Sequence, residues 1–279
     1  MSLSRTISFP IRSDKLSMNV KVSGELFSQR SQFQEICIFD TDCLGRILTL
    51  DGHIQLSTLD EHAYHEALVQ VPLLNVNSPK TALIVGGGDG GVLREVCKHD
   101  SIERVDFVEI DEMVISACKQ HMPTLSAGAF EDPRCNLIIG DAFEFVRTAN
   151  STYDLIVVDC TDVYEEEEGE LSEMLFTEEF YRDCARILKP NGFVVSQADN
   201  IVFCPYSLRE LSALYSSVFP VVGSYWALVP SFGGYSAYCW GGHEAKIAEQ
   251  MPSHQNCEMR YLNGATYAVG QLDPPFVSE

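Results

Sequence analysis

The stretch TALIVGGGDGGVLREV, residues 81–96, constrains this chain more than any other. An unbroken apolar run passes directly into Gly86-Gly87-Gly88-Asp89-Gly90-Gly91 and then into a helix-forming segment. Glycines at that point allow a tight turn and a close approach of backbone to a ligand. A strand that is apolar at every position must be covered on both faces, which a chain of alternating strands and helices achieves with a parallel sheet. The following sequence agrees. RVDFVEI, CNLIIGD, YDLIVVD and GFVVSQA read as further strands, with DEMVISACKQH and TEEFYRDCARIL as intervening helices. SYWALVP and SAYCWGG read as antiparallel edge strands. Lys189-Pro190-Asn191-Gly192 reads as a turn that ends a helix and launches a strand.

Upstream the pattern differs. VKVSGELF, FQEICIFD, RILTLDG and HIQLSTL are short runs with partial alternation, and Asp51-Gly52 suits a hairpin between two of them. DEHAYHEALVQVPLL then has helical spacing as far as Pro72. The expected organisation is a small β-sheet domain over residues 1–60 and an α/β domain over residues 61–279.

The formal net charge of −21 repels nucleic acid and anionic membrane and permits a cationic ligand, while simple solubility is the plainer reading of it. No apolar run reaches membrane-spanning length, and MSLSRTISFPIRSDK has no apolar signal core, so a cytoplasmic location is expected. The 10 cysteines include no C-x-x-C pair and read as small buried hydrophobes, so neither a disulfide framework nor a zinc site is expected.

The glycine run satisfies G-x-G-x-x-G, and Glu109 ends the next strand about 20 residues on, where a carboxylate accepts ribose hydroxyls. A dinucleotide dehydrogenase is therefore one reading. Asp89 opposes it, because a carboxylate in the turn would face a pyrophosphate that needs bare N–H groups. A cationic cofactor without phosphate, such as an S-adenosyl sulfonium compound, removes the conflict. The plainer reading of Asp89 is a cap on the helix N-terminus. Asp89, Glu109, Asp141 and Asp159 each follow a different apolar strand, and Asp162 lies just beyond. Open α/β sheets place their ligands at those strand ends. Such a crevice requires compensating cations. The sequence shows no His or Cys spacing for a metal, so bound organic cations are the simpler answer.

In order and spacing, LDGHIQLSTLDEHAYHEALVQVPLL, ALIVGGGDGGVLREVCKHDSIERVDFVEID, DPRCNLIIGDAFEFV, YDLIVVDCTD and LFTEEFY resemble the spermidine synthases and related polyamine aminopropyltransferases. The resemblance runs from about Gln34 to Gln197. It implies a Rossmann-like, class I methyltransferase-type fold with a mostly parallel sheet and a small N-terminal β-domain. It further implies a homodimer or homotetramer, no prosthetic group, and decarboxylated S-adenosylmethionine as co-substrate, leaving as methylthioadenosine. By the resemblance, Gln34, His65, Gly86, Gly88, Asp89, Glu109, Asp141 and Ala142 bind that co-substrate. Asp159 is the general base and Tyr64 orients the attacking amine. Gln55, Tyr64, Asp162, Gln197 and Phe232 line the site of the polyamine acceptor.

Two departures bear on the acceptor. After Asp162 the family usually has a short loop with proline and a Gly-Pro pair. Here VYEEEEGELSEM intervenes, carrying Glu165 to Glu168, Glu170 and Glu173. It reads either as a solvated acidic loop or as contacts for a longer, more highly charged amine. Members acting on putrescine often carry a tyrosine where this chain has Phe232 in VPSFGGYS. The acceptor is left open among putrescine, agmatine and longer polyamines. The rival readings are an S-adenosylmethionine-dependent amine N-methyltransferase and a non-catalytic polyamine-binding relative.

Overall fold

A computed structural model of the chain describes residues 5–12, 15–160, 173–253 and 257–273. Five antiparallel strands come first: β1 (Arg5–Arg12), β2 (Leu16–Arg30), β3 (Glu35–Thr41), β4 (Gly45–Leu50) and β5 (His53–Ser57), paired in sequence order. The turn between β4 and β5 is the expected one, with Asp51 at φ 44° and Gly52 at φ 83°. Both residues of a type I′ hairpin turn have positive φ, which Asp-Gly tolerates well. The strand β1 was not anticipated from the sequence. Its proline and its alternation with serine and arginine gave no apolar run to detect.

The remainder alternates. Helix α1 (Glu61–Leu73) leads to β6 (Thr81–Gly86), α2 (Gly91–Cys97), β7 (Arg104–Glu109), α3 (Glu112–His121), β8 (Cys135–Ile139), α4 (Ala142–Thr148) and β9 (Tyr153–Asp159). Then come α5 (Glu178–Ile187), β10 (Leu188–Asn200), α6 (Pro205–Val218), β11 (Val221–Val229), β12 (Gly234–Gly242) and α7 (Gly264–Gly270). The seven-stranded sheet has the order β11-β12-β10-β9-β6-β7-β8. Strands β6 to β10 run parallel, and β11 and β12 are antiparallel additions, as the sequence suggested. This is the mostly parallel, methyltransferase-type arrangement.

The continuous apolar strands follow from two cores. Ala82 and Ile84 of β6, with Leu155 and Val157 of β9, pack under α1 and α2. Leu83 and Val85, with Ile156 and Val158, pack under α4, α5 and α6. Each successive side chain thus enters the opposite core. The N-terminal sheet joins this body through α3, where Ile36, Ile38 and Leu48 meet Val114, Cys118 and Met122. Within the Lys189–Gly192 stretch the structure differs from expectation. There is no separate turn; β10 already begins at Leu188, and its register against β9 shifts between Leu188 and Phe193. The polar residues are absorbed as an irregularity within the strand.

Helix α1 is buried nearly all round, including Glu66. The Glu66 carboxylate accepts the backbone N–H groups of Arg260, Tyr261 and Leu262 at 2.7, 2.9 and 2.8 Å. It thereby pins the C-terminal segment to the core helix. Glu66→Ala leaves three donors without that acceptor and is expected to cost about 3 kcal/mol. Chemical denaturation checks this, and Glu66→Gln is expected to lie between the two.

Candidate active site

In strand order, β6 is the point from which the chain first runs outward to β7 and β8 and then returns to β9 on the other side. Such a switch point opens a crevice at the carboxyl ends of the strands. Here it is a cleft of about 590 Å³, walled by β1, the β2–β3 loop, β4 and β5 of the N-terminal sheet, by α1 and by the ends of β6 to β10. Thirteen of the fourteen residues singled out in the sequence line it, and Asp162 lies outside the described residues. The acidic loop from Glu165 to Glu170 also lies outside them.

The glycine run serves close approach. Gly86 is in register with Asp159 across the β6–β9 pair, and the Gly87 N–H donates to the Asp159 carbonyl at 2.8 Å. A Cβ on Gly86, whose φ is 76°, would stand 2.4 Å from that carbonyl oxygen. A Cβ on Gly88 would stand 2.9 Å from Glu109 Oε2. The glycines therefore bring three acidic strand ends into one small space.

The N-cap of α2 is Gly90, which has no side-chain cap; Asp89, one residue earlier, accepts the Gly91 N–H on its Oδ1 at 2.7 Å. The same oxygen lies 3.3 Å from His65 Nε2. Asp159 receives a hydrogen bond from the Tyr64 hydroxyl. Removal from water, reinforced by the Asp89 charge, raises the Asp159 carboxyl from an ordinary 3.8 to about 6, against the pull of His65 and Tyr64. Glu109 rises from 4.5 to about 7. Burial is the main cause; the N–H of Asp111 opposes it and the charges of Asp111 and Asp89 add to it. His65 is fully buried. Burial disfavours its cation, but the Asp89 and Glu61 carboxylates outweigh burial and raise it to about 10.

One ligand atom from each of His65, Asp89 and Asp159 lies within 4.8 Å of the others, a spacing a metal ion could use. An imidazolium carries protons on both nitrogens and offers no lone pair. The trio is thus two carboxylates with an internal cation, which accommodates a further organic cation better than a metal.

Around this centre the other residues are held individually. Gln34 donates its amide to Asp111 Oδ2 at 3.0 Å, beside the Ser31 hydroxyl at 2.7 Å. Asp111 caps α3 through the Met113 N–H, so one carboxylate ties the β2–β3 loop to the start of α3. Asp141 caps α4 by accepting the Phe143 N–H at 2.8 Å, which leaves Ala142 as the first helical residue at the cleft wall. Gln197 spans Cys160 O and the Asp199 N–H, both at 3.0 Å. Gln55 donates to His53 O at 3.3 Å. The Phe232 ring meets Tyr64 edge-on at 5.4 Å.

Asp199, Asp111 and Glu61 were not singled out from the sequence. Asp199 lines the cleft with φ 55°, and burial raises its carboxyl. It follows Gln197 at the end of β10, so extending the count of strand-end acids by one strand would have found it. Asp111 and Glu61 act through contacts across 77 and 33 residues, which no local signal discloses.

Residues 61–250 match the spermine/spermidine synthase domain, and residues 9–58 match the spermidine synthase tetramerisation domain. The chain belongs to the spermine/spermidine synthase family. It is similar to the polyamine aminopropyltransferase of Clostridium tetani, 34% identical over 93% of this chain and 92% of that one. With the polyamine aminopropyltransferase of Desulforudis audaxviator it shares 39% identity over 80% of this chain and 79% of the relative. Among solved structures it resembles a spermidine synthase in complex with the transition state analogue AdoDATO (TM-score 0.88, 29% identity, 99% of this chain and 95% of that one). It also resembles the spermidine synthase of Thermotoga maritima (TM-score 0.85, 28% identity, 99% and 94%). No helix among the described residues is long and apolar enough to cross a membrane.

The raised carboxyls give this family member a definite acid–base signature. Glu109 and Asp159 both have folded-state values above their ordinary ones, so each favours folding while protonated. That contribution is complete below about pH 4 and is lost as the pH rises through about 6 and 7. The melting temperature of the ligand-free protein is expected to fall between pH 5 and pH 8, with a flatter dependence in Glu109→Gln. A thermal shift series across that range checks it.

Proposed function

We propose that this chain transfers the aminopropyl group of decarboxylated S-adenosylmethionine to the nitrogen of a diamine or polyamine. The observation that carries the reading is the Tyr64–Asp159 pair set beside Asp89 and His65 at the switch point of the sheet. A reaction between a sulfonium and an amine needs paired carboxylates and one base that titrates near neutrality, and this arrangement supplies both.

In this reading Asp141 and the Ala142 backbone face the adenine, Glu109 the ribose hydroxyls, and Gln34 the nucleoside side of the tail. Gly86 and Gly88 let the backbone close on the co-substrate, Asp89 receives its terminal amine, and His65 helps to hold the nucleoside and tail. The acceptor arrives as an ammonium and gives one proton to Asp159, while Tyr64 orients it. The freed nitrogen lone pair attacks the methylene next to the sulfonium. The carbon–sulfur bond breaks, its electrons return to sulfur, and methylthioadenosine leaves as a neutral thioether. Gln55, Gln197 and Phe232, with Asp162, form the acceptor end. S-adenosylmethionine itself would bring a carboxylate toward Asp89, which disfavours methyl transfer.

The same reading divides the chain into residues 1–60, through which copies assemble as a homodimer or homotetramer, and a catalytic unit over residues 61–279. The match of residues 9–58 to a tetramerisation domain supports the first part. The 10 free cysteines suit a reducing cytoplasm.

Mass spectrometry of reactions with decarboxylated S-adenosylmethionine and putrescine, cadaverine, agmatine, spermidine or norspermidine tests the proposal. Methylthioadenosine plus one aminopropylated amine is expected; no product from any acceptor would refute it. Asp159→Asn is expected to abolish turnover, by about 10²-fold or more, while methylthioadenosine still binds. The acid limb of kcat/KM in the wild type is expected near pH 6. Phe232→Tyr supplies a hydroxyl at the acceptor end and is expected to favour putrescine over longer amines by up to about tenfold, read from competition between acceptors.

A further inference from the structure

The His65 ring is held by neighbours that include Gly91, Glu61 and Arg94, none of which takes part in the chemistry assigned above. Gly91 lies against it so closely that a Cβ there would stand 2.2 Å from the ring. Tyr64 meets it edge-on at 5.2 Å. Glu61, one helical turn earlier on α1, takes Nδ1 at 2.7 Å. Glu61 is itself gripped by Arg94 of α2, whose Nη1 and Nη2 donate to Oε1 and Oε2 at 3.1 and 2.9 Å. Arg94 is anchored in turn by the Leu125 carbonyl at 2.7 Å and by Glu95 at 3.0 Å. With Nδ1 fixed, Nε2 is directed at Asp89, 3.3 Å away. It is buried there without a well-aligned hydrogen-bond acceptor.

We propose that Glu61, clamped by Arg94, is a positioning residue that keeps His65 doubly protonated and aimed at Asp89, so that a fixed internal cation offsets the repulsion between Asp89 and Asp159 and sets the proton affinity of the base. The inference rests on the aminopropyl-transfer reading for its kinetic consequence, although the protonation of His65 stands independently of it.

The charges fit. His65 is faced by Glu61 from its own helix, by Asp89 from the β6–α2 turn, and by Asp159 from the end of β9. Asp159 is faced by Asp89, His65 and Tyr64, and on the β12 side by Tyr238. Glu61 is drawn down to about 2: burial opposes its ionisation, and His65 and Arg94 overcome that. It therefore stays charged wherever the enzyme works. Neutralising it weakens the hold on the second His65 proton, and loss of that proton leaves Asp89 and Asp159 without the cation beside them. The proton affinity of Asp159 then rises.

The first test uses the wild-type protein labelled with ¹⁵N-histidine, with the His65 signals assigned by comparison with His65→Gln. Two imidazolium nitrogens retained at pH 8 are expected. A neutral tautomer, or titration near pH 6.5, would overturn the proposal whether or not the enzyme is active. The second is the kcat/KM–pH profile of Glu61→Gln, followed by methylthioadenosine release. Its acid limb is expected to move up by about one pH unit, with Glu61→Asp restoring most of the shift. A loss of rate with an unmoved acid limb would make Glu61 merely structural. Absence of methylthioadenosine from the wild type would instead strike the aminopropyl-transfer reading and leave the NMR result to judge His65.

Discussion

Mutual repulsion among acidic strand ends is the constraint around which this structure is organised. A mostly parallel sheet places the ends of β6, β7 and β9 side by side, and here each end carries or adjoins a carboxylate. Three devices make that placement possible. Bare glycines at 86 and 88 leave room for the backbone of Asp159 and the carboxyl of Glu109. The raised proton affinities of Glu109 and Asp159 let both carboxyls take up protons near neutral pH and so reduce the charge of the cleft. The His65 cation, lodged between Asp89 and Glu61, compensates what remains.

Those devices also describe what the cleft accepts. A ligand that brings positive charge can replace the protons on the raised carboxyls, so its binding and the loss of those protons are linked. A sulfonium with a terminal ammonium and an incoming amine are ligands of that kind. A dinucleotide is not, because its pyrophosphate would meet Asp89 at the start of α2.

The N-terminal sheet belongs to the same design. It covers α3 through Ile36, Ile38 and Leu48, and its β2–β3 loop reaches the cleft through Gln34 and Ser31 on Asp111. Helix α1 is the other connector. It presents Tyr64 and His65 to the cleft, Glu61 to Arg94, and Glu66 to the C-terminal segment. That is why a helix with five charged or titratable side chains is buried almost throughout.

Much of the fold could be read from the chain by itself, because apolar runs such as TALIV and YDLIVV suit only strands covered on both faces. The order of strand-end acids could be read for the same reason, since each follows its strand directly. Strand β1 was missed because its half-exposed, proline-containing sequence has no apolar run. The continuity of β10 through Lys189-Pro190-Asn191-Gly192 was missed because pairing with a neighbour overrides turn propensity. What the tertiary structure alone decided is which acids hold a proton and which partners restrain them. Proton affinity depends on burial and on charges brought near from distant positions: Asp89 for His65, Arg94 for Glu61, Asp89 for Asp159. Those distances exist only once α1, α2 and the sheet have packed.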